Sequence, residues 1–157
     1  MKTIHKELIN ETVAKAKLNK RLRINYNFHE TYDAIVQRML NAIEPGTYVQ
    51  PHKHEDPDKA EVFIILTGKA LIVEFDDTGE VISYNVIAAG GNNFGSEIAP
   101  RTWHSIVSLE SGTVVYEVKD GPYSPLTDKN FAKWAPKEGD ENCSHYLNEL
   151  LKKCGLD

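Results

Sequence analysis

The sequence predicts a mainly β protein, a sandwich or barrel of short strands flanked by one helix at each end. Between residues 34 and 119, short apolar runs alternate with turn signals at the spacing expected of such folds. Helical periodicity is confined to residues 4–19 and 142–154. With 157 residues, the chain suits one domain with one substantial core.

The composition is that of an ordinary globular protein, with 41% hydrophobic and 26% charged residues. A formal net charge of -5 argues against non-specific nucleic-acid binding, which requires a basic surface. No apolar run approaches the roughly 20 residues that a membrane-spanning helix needs, and the first residues lack the apolar core of a signal peptide. We therefore expect a cytoplasmic protein that binds neither nucleic acid nor membranes. The sequence leaves open whether it forms a homodimer.

Both predicted helices have a regular apolar stripe. In the first, Ile9, Val13 and Ala16 recur at helical spacing, and lysines collect near the end, where they suit the helix dipole. In the second, the apolar residues follow the i, i+3, i+4, i+7 pattern and comprise Cys143, Tyr146, Leu147, Leu150, Leu151 and Cys154. Gly155 is the expected stop of this second helix.

Residues 20–30 alternate strictly between polar and apolar side chains, which indicates an extended segment with one polar face. The polar face consists of Arg21, Arg23, Asn25, Asn27 and His29. In one interpretation it is the solvent-exposed side of an edge strand. In the other it lines a pocket, where the two guanidinium groups would suit a carboxylate or a phosphate.

The remaining strands are predicted from short apolar runs bounded by glycine, proline, asparagine and aspartate. They cover residues 34–43, 61–66, 69–75, 81–87, 94–98, 104–109 and 113–119. An irregular arm follows, and we expect it to pack over the sheet because Tyr123, Phe131 and Trp134 need burial.

A candidate metal site lies in the middle of the chain. His52 and His54 are separated by one residue, so in an extended chain both imidazoles point the same way. After a short polar turn, Glu61 opens an apolar run with the length of a buried strand, and His104 at a later turn could add a third imidazole. Three imidazoles and a carboxylate suit Fe, Mn, Ni, Cu or Zn better than Mg or Ca. The alternative is that the histidines act as acid or base without a metal.

The spacing around this site resembles the first motif of the cupin superfamily, Gly-x5-His-x-His, a spacer, and Glu-x6-Gly. The matching residues are Gly46, His52, His54, Glu61 and Gly68. The spacer is longer than is usual in the family, and the extra length falls in the turn-like residues 55–60. The second cupin motif is matched loosely: His104 fits, but Ala99, Arg101 and Ser108 replace its proline, glycine and asparagine.

Three further stretches, residues 21–29, 37–48 and 117–136, resemble the WbuC-type cupin fold metalloproteins, whose genes occur with bacterial surface-polysaccharide genes. The resemblance covers most of the chain. It implies a single cupin barrel, a double-stranded β-helix of the jelly-roll type, formed by residues 31–120. Residues 1–30 would pack on the barrel as a helix and an extended segment, and residues 121–157 would form a C-terminal arm and helix of the same domain.

The resemblance also implies one divalent transition metal, Fe, Mn, Ni or Zn, held by His52, His54, Glu61 and His104. Glu117 and Lys119 share a strand face and form either a salt bridge at a solvated rim or an acid–base pair near the metal. With His29, they are the candidate catalytic residues. The predicted substrate-binding residues are Arg23, Asn27, Tyr48 and Gln50.

We expect a metal-dependent enzyme, an isomerase, epimerase or oxygenase of the cupin type. Its small-molecule substrate would be sugar-like or carboxylate-bearing and linked to bacterial surface-polysaccharide metabolism. The alternative is a non-catalytic sensor in which the metal only positions the ligand, because one fold hosts many activities.

Overall fold

The computed structural model describes residues 1–124 and 129–156. In these ranges the elements are α1 (Lys6–Leu18), β1 (Arg23–Asn27), β2 (Val36–Ile43), β3 (His52–Lys53), β4 (Glu61–Thr67), β5 (Lys69–Phe75), β6 (Val81–Ala88), β7 (Gly95–Ile98), β8 (Trp103–Ser108), β9 (Thr113–Asp120), β10 (Asn130–Phe131) and α2 (Cys143–Lys153). Residues 125–128 of the predicted arm and the terminal Asp157 lie outside the described residues.

The strands form two antiparallel five-stranded sheets. The first has the order β1-β2-β9-β4-β7 and the second the order β10-β3-β8-β5-β6. Neighbours within a sheet are often distant in sequence, as in β2, which pairs along its whole length with β9. The architecture is the mainly β cupin sandwich with N- and C-terminal helices, and the predicted fold class is confirmed.

The apolar core lies between the two sheets, where alternate side chains of the inner faces meet. It contains Ile43, Phe63, Ile65, Ala70, Ile72, Ile87, Ile98, Ile106 and Val115. Full burial of each large aliphatic side chain contributes roughly 1.5–3 kcal/mol. Phe63 and Ile106 also line a cavity between the sheets, so the core forms one wall of that cavity.

The two helices cover the outer faces of the sheets. On the first sheet, Val13 and Ala16 of α1 pack in one cluster with Leu40. On the second sheet, Leu147 and Leu150 of α2 join a cluster centred on strands β5 and β8. Both helices lie where their apolar periodicity predicts them, within two residues at each end. Neither helix of the described chain combines the length and the apolar character that crossing a membrane requires.

The turn between β4 and β5 requires Gly68, which has a φ of +74° and lies against β9. A Cβ atom at this position would lie 2.7 Å from Thr113 Cα. We expect Gly68→Ala to lower the free energy of unfolding by at least about 2 kcal/mol, because the left-handed conformation alone costs an L-residue roughly 1–2 kcal/mol. The strand backbone must also move.

Gly90→Ala is the matched control for this prediction. Gly90 has a similar φ of +79°, but a Cβ atom there would meet no described heavy atom within 4 Å. Urea unfolding should therefore show a clearly smaller loss for Gly90→Ala than for Gly68→Ala. Equal losses would contradict the close approach of Gly68 to the strand.

Candidate metal centre

The four predicted metal ligands converge between the two sheets. His52 on β3 lies opposite His104 on β8, and Glu61 opens β4 in the other sheet. His54 follows β3 directly. One candidate ligand atom from each of the four residues lies within 4.8 Å of the others, and all four side chains are buried.

The imidazoles of His52 and His104 are oriented by the backbone. Nδ1 of His52 lies 3.0 Å from the Gln50 carbonyl oxygen, and Nδ1 of His104 lies 2.9 Å from the Thr102 carbonyl oxygen. Because a carbonyl oxygen can only accept, each Nδ1 carries the proton and each Nε2 of the neutral ring has a lone pair. Backbone contacts of this kind fix the tautomer and ring orientation of metal-binding histidines.

Two features of the cluster favour a bound cation. Nε2 of His52 is buried and has no hydrogen-bond partner among the described residues. Nε2 of His104 lies 3.0 Å from Glu61 Oε2, and two lone pairs at this distance repel each other unless a proton or metal ion lies between them. Metal–ligand bonds of about 2.1 Å place neighbouring ligand atoms roughly 3–3.4 Å apart, which this spacing matches. The residues therefore fit a divalent transition metal.

The protonation states also suit metal binding. Burial lowers the pKa of His52 well below its ordinary value, so the imidazole is neutral at neutral pH. Burial by itself would raise the pKa of Glu61, but hydrogen bonds from His104 and His54, made by protons in the place that a metal would take, outweigh it and hold that pKa well below the usual range. A neutral imidazole and an ionised carboxylate are the forms that ligate a metal.

His52 and Glu61 also line a cavity of about 480 Å³. This volume is within the range of small-molecule sites. The cavity walls include the predicted site residues Arg23, Asn27, His29, Gln50, Glu117 and Lys119. Tyr48 does not line it, because its side chain is buried elsewhere and its hydroxyl donates to the Pro136 carbonyl oxygen at 2.8 Å.

Glu117 connects the cavity wall to the metal cluster. Its carboxyl group neighbours that of Glu61 and accepts a hydrogen bond at 2.9 Å from Nδ2 of Asn41. Burial and the neighbouring Glu61 carboxylate raise the pKa of Glu117 to about 8. A carboxyl group with such a pKa can hold a proton at neutral pH and exchange it with a group in the cavity. Lys119, on the same strand, is also buried, and its Nζ lies 5.4 Å from the ring centroid of Tyr123.

Sequence comparison identifies the family. The profile of the domain of unknown function DUF6016 matches residues 4–87, just over half of the chain. The chain belongs to the DUF6016 family. No curated protein matches it significantly in sequence.

Solved structures with a similar fold include CapF of Staphylococcus aureus, a capsular polysaccharide assembling protein, at 20% identity and a TM-score of 0.56. Oxalate decarboxylase of Bacillus subtilis is similar at 19% identity and a TM-score of 0.51. The matches cover 69% and 68% of this chain, but only 31% and 30% of those proteins. The chain thus corresponds to under a third of each. At these identities the similarity shows the fold alone.

The N-terminal strand of this DUF6016 protein is both an edge strand and a cavity wall. Strand β1 ends the first sheet, and all five polar residues of the alternating segment line the cavity. The guanidinium group of Arg23 donates to Tyr48 O at 2.9 Å and to Glu138 Oε2 at 2.7 Å, and Arg21 also bonds Glu138. These protein partners occupy much of the donor capacity of both arginines. Ligand binding by Arg23 stays a prediction.

His29 lines the cavity and is held by the backbone of Arg38. Its Nδ1 lies 3.1 Å from both the amide nitrogen and the carbonyl oxygen of Arg38, so this nitrogen can accept from the first or donate to the second. These contacts fix the position of the ring but not its tautomer, and a catalytic role for His29 stays a prediction.

We expect Arg23→Lys to lower the melting temperature by several degrees while leaving the metal content unchanged. Lysine cannot reproduce the forked contacts of arginine. Loss of a charge-assisted hydrogen bond costs about 1.5–3 kcal/mol, and each kcal/mol shifts the melting temperature by roughly 2–4 °C in a protein of this size.

Arg21→Lys is the control for this prediction, measured by thermal unfolding. The Arg21 side chain is 60% exposed and that of Arg23 only 12%. Solvent weakens exposed ion pairs, so the control should shift the melting temperature less. Equal shifts for the two variants would show that the buried contacts of Arg23 stabilise the fold no more than the exposed contacts of Arg21.

Sequence reasoning missed several residues of the cavity wall, among them Gln37, Asn41 and Phe131. Gln37 and Asn41 lie on β2 within a run predicted as an ordinary strand, and both are buried and line the cavity. Their polarity at alternate positions of a buried strand was the available signal. Phe131, expected to be buried by arm packing, is 53% exposed at the cavity, with its ring centroid 6.1 Å from that of His52.

Proposed function

We propose that this protein is a metal-dependent cupin that binds one divalent transition metal and a small polar ligand in the adjoining cavity. The observation that carries the proposal is the buried, unpartnered Nε2 of His52 within a cluster of three imidazoles and one carboxylate. This donor set suits Fe, Mn, Ni or Zn. Four protein ligands leave one or two coordination positions for water or ligand.

A bound metal would polarise a carbonyl or hydroxyl group, or activate water or oxygen. The chain itself supplies proton transfer and orientation. Glu117 can hold a proton beside Glu61 and exchange it with a ligand group. His29 lines the same cavity as a candidate acid or base, and the ammonium group of Lys119 can stabilise negative charge on the ligand.

The proposed substrate is sugar-like or carboxylate-bearing, and the proposed reaction is an isomerisation, epimerisation or oxygenation linked to surface-polysaccharide metabolism in the bacterial cytoplasm. Support comes from the WbuC-type resemblance of residues 21–29, 37–48 and 117–136. The structural neighbour CapF is itself described as a capsular polysaccharide assembling protein. A homodimer is compatible with this proposal.

The test uses protein purified without a histidine tag. We expect metal analysis to find about one transition metal per chain. We also expect turnover on a panel of nucleotide sugars and keto acids, and we expect Glu117→Gln to abolish that turnover while retaining the metal. Metal-dependent binding without turnover would favour the sensor function instead. Protein that binds none of the four metals after dialysis against each would overturn the proposal.

A further inference from the structure

We propose that the cavity wall next to the metal centre selects ligands rich in hydrogen-bond donors, hydroxyl or amino groups, and that Asn41 is the residue that determines this preference. The inference rests on the proposed function, because it names the ligand chemistry of the same cavity. The sequence leaves a sugar-like and a carboxylate-bearing ligand open, and this wall distinguishes them.

The amide of Asn41 is only half satisfied by the protein. Its side chain lies in the cavity wall, and the residue is 9% exposed. Nδ2 donates to Glu117 Oε2 at 2.9 Å, whereas Oδ1 is buried and has no partner among the described residues. The reverse amide orientation would place Oδ1 against an accepting carboxyl oxygen. Because a buried acceptor without a partner is unfavourable, Oδ1 favours a donor from the cavity, which is water when no ligand is bound and a hydroxyl or amino group when a ligand displaces that water.

Two further amides in the cavity wall repeat this arrangement. Gln37 donates from Nε2 to the carbonyl oxygens of Tyr32 at 3.1 Å and Ala34 at 2.8 Å, and Gln50 donates to that of Ala132 at 3.1 Å. No described residue donates a hydrogen bond to the side-chain carbonyl oxygen of either glutamine. All three amides therefore use their N–H groups within the protein and keep their oxygens as acceptors.

The acceptors near Asn41 point in the same direction. Oε2 of Glu117 already accepts from Asn41, so a ligand carboxylate or phosphate placed there would bring a further acceptor against two acceptors of the wall. Lys119 and Lys129 also line the cavity and could receive an anionic end of the ligand. The group that faces Asn41 must instead donate, which a hydroxyl or an amino group does.

The first test compares two classes of probe on the metal-loaded wild-type protein by calorimetry and saturation-transfer NMR. The donor-rich probes are D-glucose, D-galactose and D-glucosamine, and the carboxylate probes of similar size are cyclohexanecarboxylate and benzoate. We expect at least one donor-rich probe to bind about tenfold more tightly than either carboxylate. If a carboxylate binds as tightly, or if none of the donor-rich probes binds, the inference is wrong.

The second test is the Asn41→Ala variant. It should weaken the best donor-rich probe about five- to tenfold and leave the carboxylates and the metal content unchanged. Asn148→Ala, at an exposed position of α2, is the control. Gln50→Met removes a second acceptor and should act in the same direction if Asn41→Ala does not fold.

The experiments distinguish failure of the proposed function from failure of this inference. Wild-type protein that takes up no metal would count against the proposed function. Protein that is fully loaded but prefers carboxylates, or an Asn41→Ala variant that binds the donor-rich probe like wild type, would overturn only this inference.

Discussion

Replacement of both His52 and His54 by alanine is expected to reduce the metal content from about one ion per chain to nearly none. The variant keeps only Glu61 and His104 of the four converging ligands. Four-ligand protein sites bind Zn with roughly 10–16 kcal/mol, or about 3 kcal/mol per ligand. Loss of two ligands should therefore weaken binding about 10⁴-fold. Metal analysis and chelator competition measure the two quantities.

His29→Ala is the matched control for the double variant. His29 is also buried and lines the same cavity, but it lies outside the four-residue cluster. It should retain its metal. Circular dichroism of the metal-free double variant checks that the fold survives the two truncations. Full metal content in a folded double variant would place the metal site elsewhere in the chain.

Three of the four metal ligands were predictable because their geometry is local, whereas His104 was predicted from its loose match to the second cupin motif. His52 and His54 are separated by one residue, and the period of two in extended backbone directs both imidazoles to one side. Glu61 was recognisable as the first residue of a buried strand, and β4 begins there. The alternation of short apolar runs with turn signals likewise predicted the fold class. Each of these inferences depends on residues that are close in sequence.

The position of Tyr48 was less predictable because Tyr48 lies outside the strands, where side chains do not alternate with a period of two. The segment that contains Tyr48 and Gln50 precedes β3 and is irregular, and β3 itself is only two residues long. Without a strand, spacing by two does not define a common face. The Tyr48 hydroxyl reaches Pro136 and Gln50 reaches Ala132, both in the C-terminal arm. Such contacts, more than eighty residues apart, leave no signal in local periodicity.

Two of the departures from the cupin motifs, Arg101 and the longer spacer, contact each other. Arg101 replaces the glycine of the second motif and adopts a φ of +67°, in the left-handed region that favours glycine. Its guanidinium group pairs with Asp58 at 2.9 Å and Asp56 at 3.3 Å, within the longer spacer of the first motif. Its backbone amide donates to the His54 carbonyl oxygen at 3.0 Å. We infer that the ion pairs with the spacer stabilise Arg101 in its left-handed conformation and so help to position His54.

Acidification is expected to weaken metal binding by about a hundredfold between pH 7 and pH 5, because protons compete with the metal for imidazole nitrogens, whose ordinary pKa is about 6.5. A protonated imidazole cannot ligate, so falling pH favours the metal-free protein. His52 moderates this effect, because burial lowers its pKa well below the ordinary value and keeps it neutral. The low pKa of Glu61 likewise keeps that carboxylate ionised.

The slope of log affinity against pH gives the number of protons displaced by the metal. Since His52 is already neutral in this range, the slope should lie clearly above zero but below three. Chelator-competition titrations at several pH values between about 7 and 5 measure it, with the circular dichroism spectrum of the metal-free protein recorded at each pH to exclude acid unfolding. A flat profile would contradict ligation by histidines. A slope of three would mean that His52 also binds a proton, which contradicts the effect of its burial on the pKa.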